Sequence, residues 1–296
     1  MEIGLNPAFL FAHYGEEVYL DQILEGVMLA HNIGFKSLGL EIYCDEQYEI
    51  YNKENIKKIK NCFTKYSMKS KYFVACAPRI KLASLNEEVQ REGLKDFKKI
   101  VEIVAEMGLV DMISLVTSSP PEMVVSYMDT YPGAPPAFTV LPNDYIWDHV
   151  WDVYVDTVEK CLRMYESESL KLSIEPTPMS IVPNSDCYLR LWSEIRSKNL
   201  GILIDTSHLF YQRESLPIAI EKVKNHLLGF CICDNNGVED HHWPPGKGTI
   251  GWNEVLKTLK KINYSGSIDL EINVTKNPDE IYTQSRDYLI NLLHGE

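Results

Sequence analysis

The sequence predicts an α/β fold: a (β/α)8 TIM barrel with a long loop after its fourth strand. Three observations predict it. Short β-branched or apolar runs alternate strictly with longer amphipathic stretches, eight of each, which is the element count of a closed α/β barrel. The amphipathic stretches are long enough to serve as crossovers between parallel strands. No strand runs into a glycine-rich phosphate fingerprint, the mark of the competing doubly wound open sheet, since "PGKG" at 245–248 follows no strand directly.

In chain order, the strands are expected at 2–6, 36–42, 71–76, 112–117, 171–175, 201–205, 228–233 and 267–273. Helical periodicity places the helices at 17–32, 53–67, 86–107, 147–166, 185–198, 216–226, 252–262 and 278–293. Asp186, Ser215 and Asn253 are the expected caps near three helix starts. No repeat of fixed period divides the chain, so residues 1–296 are expected to form a single domain. One stretch breaks the rhythm. Residues 118–145, rich in Pro and aromatics, are too long for a simple βα connection and are expected to form a lid over the barrel top.

Composition narrows the function. A 296-residue chain with 45% hydrophobic residues can bury a large core. Its net charge of −13 argues against nucleic acid or an anionic membrane as partner, because both repel it. The opening "MEIGLNPAFLFAHYG" lacks the features of a secretory signal, and no apolar run approaches membrane-spanning length. Seven scattered cysteines do not form a disulfide framework, so a reducing cytoplasm is the expected location.

Four strands share one grammar when read with period two. In "KLSIE", Leu172 and Ile174 share one face, Ser173 and Glu175 the other. The same alternation sets Leu38 and Leu40 against Glu41, Ile202 and Ile204 against Asp205, and Ile268, Leu270 and Ile272 against Asp269 and Glu271. The apolar faces suit outer helices. The other faces would then carry Glu41, Glu175, Asp205 and Glu271 into the barrel at the strands' C-terminal ends, where barrel enzymes place their chemistry. Carboxylates crowded together repel, and a divalent cation is the economical way to neutralise them.

The motifs "LSIEPTP" (172–178), "GILIDTSHLF" (201–210), "DNNGVEDHHWPPGKGTIGW" (234–252) and "YSGSIDLEI" (264–272) resemble the xylose isomerase-like barrel superfamily. This group of sugar isomerases and epimerases also includes endonuclease IV. In its tagatose/psicose 3-epimerase branch, Glu, Asp, His and Glu from strands five to eight hold the metal. The resemblance therefore implies Glu175, Asp205, Cys231 and Glu271 as the metal set, with cysteine standing where the family has histidine. It implies His208 as a substrate contact and proton-transfer aid, and Asp240 and His242 as the Asp-x-His element facing the substrate. Glu41 is a candidate hydrogen-bonder to substrate. Two departures count against a conventional ketohexose 3-epimerase: Ile181 and Gly237 replace a substrate-binding Glu and Arg.

The implied chemistry is proton transfer next to a carbonyl through an enediolate, with Glu175 and Glu271 as metal ligands and acid/base pair. Return of the proton to the opposite face epimerises, return to the next carbon isomerises, and loss of water makes a dehydratase of a keto-inositol or oxidised sugar. A non-catalytic sugar-binding subunit is the reading from a different class. A ligating Cys231 would favour Zn2+ or Fe2+, whereas a site without it suits Mn2+ or Mg2+, with Co2+ a further candidate. The expected partner is a small sugar or polyol, unphosphorylated because no basic cluster marks a phosphate site, and a homo-oligomer is a family expectation. Cys233 is expected to be core and His241 solvent-exposed; Asp234 and Asn235 either line the pocket or shape a turn; Trp147, Trp151 and Trp252 are read as packing residues.

Overall fold

A computed structural model describes residues 1–15, 18–127, 136–165 and 170–295. Its strands are β1 (Glu2–Leu5), β2 (Leu40–Ile42), β3 (Phe73–Ala75), β4 (Met112–Val116), β5 (Val124–Tyr127), β6 (Pro136–Val140), β7 (Lys171–Glu175), β8 (Leu200–Asp205), β9 (Leu227–Ile232) and β10 (Ser267–Leu270). All except β5 and β6 join one parallel sheet in the order β1-β10-β9-β8-β7-β4-β3-β2. The sheet curls until its edges meet. Leu5 bridges Leu38, with Leu5 N–H donating to Ser37 O and Gly39 N–H to Leu5 O, which closes the eight-stranded barrel.

The expected elements stand close to where the periodicity put them, with three corrections. An unexpected seven-residue helix, Ala8–Tyr14, precedes the expected one, which runs over Leu20–Asn32. Asn184, not Asp186, caps helix Ser185–Ile195, because its side chain reaches the Cys187 N–H at 3.0 Å. Gly251 stands at the N-cap of Trp252–Lys261, leaving Asn253 inside the first turn, while Ser215 does occupy the N-cap of Leu216–Val223. The long loop after β4 contains an antiparallel hairpin, β5 with β6. Residues 128–135 at its tip, part of the expected lid, lie outside the described residues.

Period-two alternation divides the buried residues into two shells. Outward-facing Leu172, Ile174, Ile202, Ile204, Ile268 and Leu270 pack against helices in one continuous apolar core. Inside the barrel a smaller cluster holds Tyr72, Val74, Cys76, Met112, Leu203 and Cys231. Above and below it stand buried polar groups, among them Ser114, Ser173, Glu175, Asp205 and Asp269. Trp151 and Trp252 are buried as expected of packing residues, whereas Trp147 is 40% exposed.

Candidate active site

The site is built where β7, β8, β9 and β10 end. Glu175, the last residue of β7, is 5% exposed and accepts a hydrogen bond from Ser114 Oγ at 3.3 Å. Its backbone is pinned as well, since Thr117 N–H and Oγ1 both donate to the Glu175 carbonyl. Burial raises its carboxyl to about 7; His208 pulls it down and Asp205 pushes it up.

Asp205 ends β8 with no solvent exposure. Its side chain caps the short helix Thr206–Tyr211 by accepting the His208 N–H at 2.9 Å. The Asp-x-x-His spacing thus has a local cause: the cap residue fixes the turn that brings His208 back over the strand end. Cys233 Sγ lies 3.3 and 3.2 Å from the two Asp205 oxygens. Cys233 is buried, as expected of a core residue, and it also touches the central carboxylate.

His208 and His242 are joined by one acid. Asp240 Oδ2 is 2.6 Å from His208 Nδ1, and Asp240 Oδ1 is 3.4 Å from His242 Nε2. The two rings meet edge to face at 4.9 Å, and His242 Nδ1 stands 3.9 Å from Asp205 Oδ2. Burial opposes charge on both imidazoles. The carboxylates of Asp240 and Asp205 overcome it, raising His208 to about 10 and His242 to about 9. Burial likewise opposes charge on Asp240, but the two histidines hold its carboxyl far below the usual range.

The loop that presents Asp240 and His242 is held by Asp234 and Asn235, which shape the turn. Asp234 accepts hydrogen bonds from Asn235 N–H, Gly246 N–H, Ile250 N–H and Trp252 Nε1, all between 2.8 and 3.1 Å. Asn235 donates to Ser207 O and Oγ and accepts from Gly237 N–H. Gly248 packs so tightly here that a Cβ would fall 2.2 Å from Asn235 O. His242 itself adopts a left-handed backbone, φ 52°, with its carbonyl accepting the Asn273 N–H at 2.8 Å. His241 is not free in solvent: its ring stacks on Trp243 at 4.1 Å.

Glu271 follows β10, half-buried, and accepts from Asn6 Nδ2 at 2.9 Å. Burial and then the charges of Asp205 and Glu175 raise its carboxyl well above the ordinary range. Cys231 is buried in β9, its sulfur 3.5 Å from Asn6 Nδ2 and 3.6 Å from Tyr72 Oη. Glu41, the middle residue of β2, lines a small cavity with Phe11, Val18, Gln47 and Tyr51. Burial, with repulsion from Glu175, raises its carboxyl to about 8 against the pull of Arg79.

The structure therefore brings Glu175, Asp205, His208, Asp240, His242 and Glu271 into one electrostatic unit. Among the described residues, the ligand atoms of Asp205, His208 and His242 lie within 4.8 Å of one another, a grouping able to hold a metal ion. Of the expected metal set, only Asp205 belongs to that trio. Sequence reasoning missed Asn6 and Tyr72. Asn6 was legible in one respect, since Glu2, Gly4 and Asn6 repeat the inward period-two register of the acid-bearing strands.

Comparison with known proteins places this architecture in a class. Residues 27–292 match the family model of the xylose isomerase-like TIM barrel, and the chain belongs to that family. It is 29% identical over 241 residues to the uncharacterised protein MJ1311 of Methanocaldococcus jannaschii, covering 78% of this chain and 73% of that one. It is 25% identical over 166 residues to fructoselysine 3-epimerase of Escherichia coli O157:H7, covering 55% of this chain and 58% of the enzyme. Its fold is similar to that of the 3-keto-D-glucoside 4-epimerase of E. coli, with a TM-score of 0.75, 18% identity, and coverage of 98% of this chain and 99% of that one.

Proposed function

We propose that this protein is a divalent-metal-dependent epimerase or isomerase of a small unphosphorylated sugar or polyol. The observation that carries this reading is the placement of Glu175 and Glu271 on either side of the Asp205–His208–His242 cluster. In the ring of strands, β8 and β9 separate β7 from β10. A substrate over the cluster would thus meet one carboxyl from each side.

The donor set fits a metal. One carboxylate and two imidazoles are borderline donors that suit Zn2+, Co2+, Fe2+ or Mn2+ better than Mg2+. The second carboxylate, Asp240, binds a ring nitrogen of each histidine and so fixes which nitrogen is left for the ion. The contact between Asp240 Oδ1 and His242 Nε2 is long, at 3.4 Å, so this half of the clamp has room to tighten. Asp205, His208 and His242 would hold a divalent ion, which when bound would supply the Lewis acidity to polarise a substrate carbonyl and acidify the neighbouring C–H.

The chain's own residues do the rest. Glu175, with its carboxyl near 7, is poised to take or give a proton around neutrality. Glu271, whose carboxyl burial raises well above the ordinary range, holds a proton for return to the other face of the substrate. Asn6 and Ser114 hold the two carboxyls in place. Glu41 and its neighbouring cavity would receive substrate hydroxyls away from the reacting carbon. The fructoselysine 3-epimerase and 3-keto-glucoside 4-epimerase activities of the relatives support proton transfer next to a sugar carbonyl.

Incubation in D2O with neutral ketohexoses, keto-glucosides and inososes, each with Mn2+, Co2+ or Zn2+, tests the proposal by NMR. Deuterium should enter at the carbon beside the carbonyl, accompanied by an epimer or isomer. No incorporation with any of them, together with no rise in Tm on adding metal, would refute it.

A further inference from the structure

The Cys-x-Cys pair at the end of β9, Cys231 inside the strand and Cys233 just past it, has no role in the chemistry above, yet both residues are fully buried in the wall of that site. Strand alternation points both inward but at different heights, and each meets a different carboxylate group. At Cys231, the side-chain amide of Asn6 is the hub. Asn6 Oδ1 accepts the Ala8 N–H at 2.8 Å, which turns its Nδ2 toward Glu271 Oε2 at 2.9 Å, Tyr72 Oη at 3.1 Å and Cys231 Sγ at 3.5 Å. Tyr72 Oη stands 3.6 Å from the same sulfur. Cys233 is pinned by Thr206 Oγ1, which bonds both its N–H and its carbonyl. That leaves its sulfur facing the Asp205 oxygens.

We propose that β9 and the residue after it contribute no metal ligand: Cys231 and Cys233 line the wall behind the site, and Asn6 is the positioning residue for Glu271. The proposal rests on the metal-dependent reading above and deepens it. Cys231 Sγ already faces an amide N–H and a phenol hydroxyl, which engage its lone pairs within the barrel wall. Cys233 Sγ stands 3.2 Å from Asp205 Oδ2, in hydrogen-bond contact with a carboxylate of the cluster. The three converging donor atoms include no sulfur. The imidazole missing from β9 is supplied eleven residues later by His242, whose left-handed backbone turns the chain back over the end of β8.

The protein loaded with cobalt(II) tests this by absorption. Visible cobalt bands are expected without a near-ultraviolet thiolate-to-cobalt charge-transfer band, and the spectra of Cys231→Ser and Cys233→Ser should overlay that of the unmodified protein. A charge-transfer band that vanishes in Cys231→Ser would overturn the proposal while leaving the metal reading intact. Absence of any cobalt bands would overturn both. For positioning, Asn6→Ala should lower kcat roughly ten-fold or more with KM held within about two-fold. The cobalt spectrum should not change. Asn6→Asp keeps the shape without the donor and should show the same split if the alanine variant fails to fold. An unchanged kcat in either folded variant would remove Asn6 from the role.

Discussion

On β8, Leu200, Ile202 and Ile204 turn outward into a seam of apolar side chains, while Leu203 and Asp205 turn inward to the barrel lumen. The outer residues are held by contact alone. The inner carboxylates are held by named partners: Asp205 by the His208 N–H and Cys233, Glu175 by Ser114, Asp269 by Ser267, Glu271 by Asn6. Burial costs the outer face nothing in unpaired polar groups. On the inner face, an acid stays ionised only against the cost of leaving water. The outer shell should therefore be sensitive to volume and indifferent to function, and the inner shell the reverse.

Substitutions on the two faces can break this contrast. Glu271→Gln should lower the proposed proton transfer by about 10^2 to 10^4-fold, read by deuterium incorporation, with Tm unchanged or raised because a buried acid has gone. Ile204→Ala should cost about 2–5 kcal/mol of stability, read by urea unfolding, while turnover per folded molecule stays within about two-fold. If Ile204→Ala silences a stable protein, or Glu271→Gln unfolds it, the division of labour between the faces is wrong. Behind the site, Asn184→Ala removes the cap of the helix that follows β7 and should cost about 1 kcal/mol, with no change in KM.

A pH series sharpens the inner face. Glu41 keeps its proton to about 8 in the folded protein, against an ordinary value of 4.5. Between those values the unfolded chain releases a proton that the folded chain retains, so raising the pH favours unfolding. Glu41→Gln cannot titrate. Its Tm advantage over the unmodified protein should grow from pH 5 to pH 8, and a difference that stays flat would show that Glu41 ionises freely in the fold.

Much of the architecture was legible because it is local. Alternation in "KLSIE" and "GILID" marks both the strand and the face that carries its acid, and the structure sets Glu175 and Asp205 at those strand ends. Asp205 to His208 is a three-residue relation inside one turn, so that pair was legible too. Other features were decided by competition. Asn184 and Asp186 are both capping residue types, and the choice between them depends on where the preceding loop leaves the backbone. Cys233 is core, as its pattern implies, but a Cys-x-Cys strand pair shows only that both side chains share a face, not that one of them meets Asp205.

By itself, then, the sequence determined the barrel, the order of its elements, and the presence of acids at the mouth, because periods of two and 3.6 residues follow from backbone geometry. Tertiary structure alone decided which of those acids meet which partners. Asn6 reaches Glu271 across 265 residues and Asp240 clamps His208 across 32. Such contacts arise only when the barrel closes β1 against both β10 and β2 and the loop after β9 folds back over the site. Chain closure sets those distances, and no local pattern encodes them.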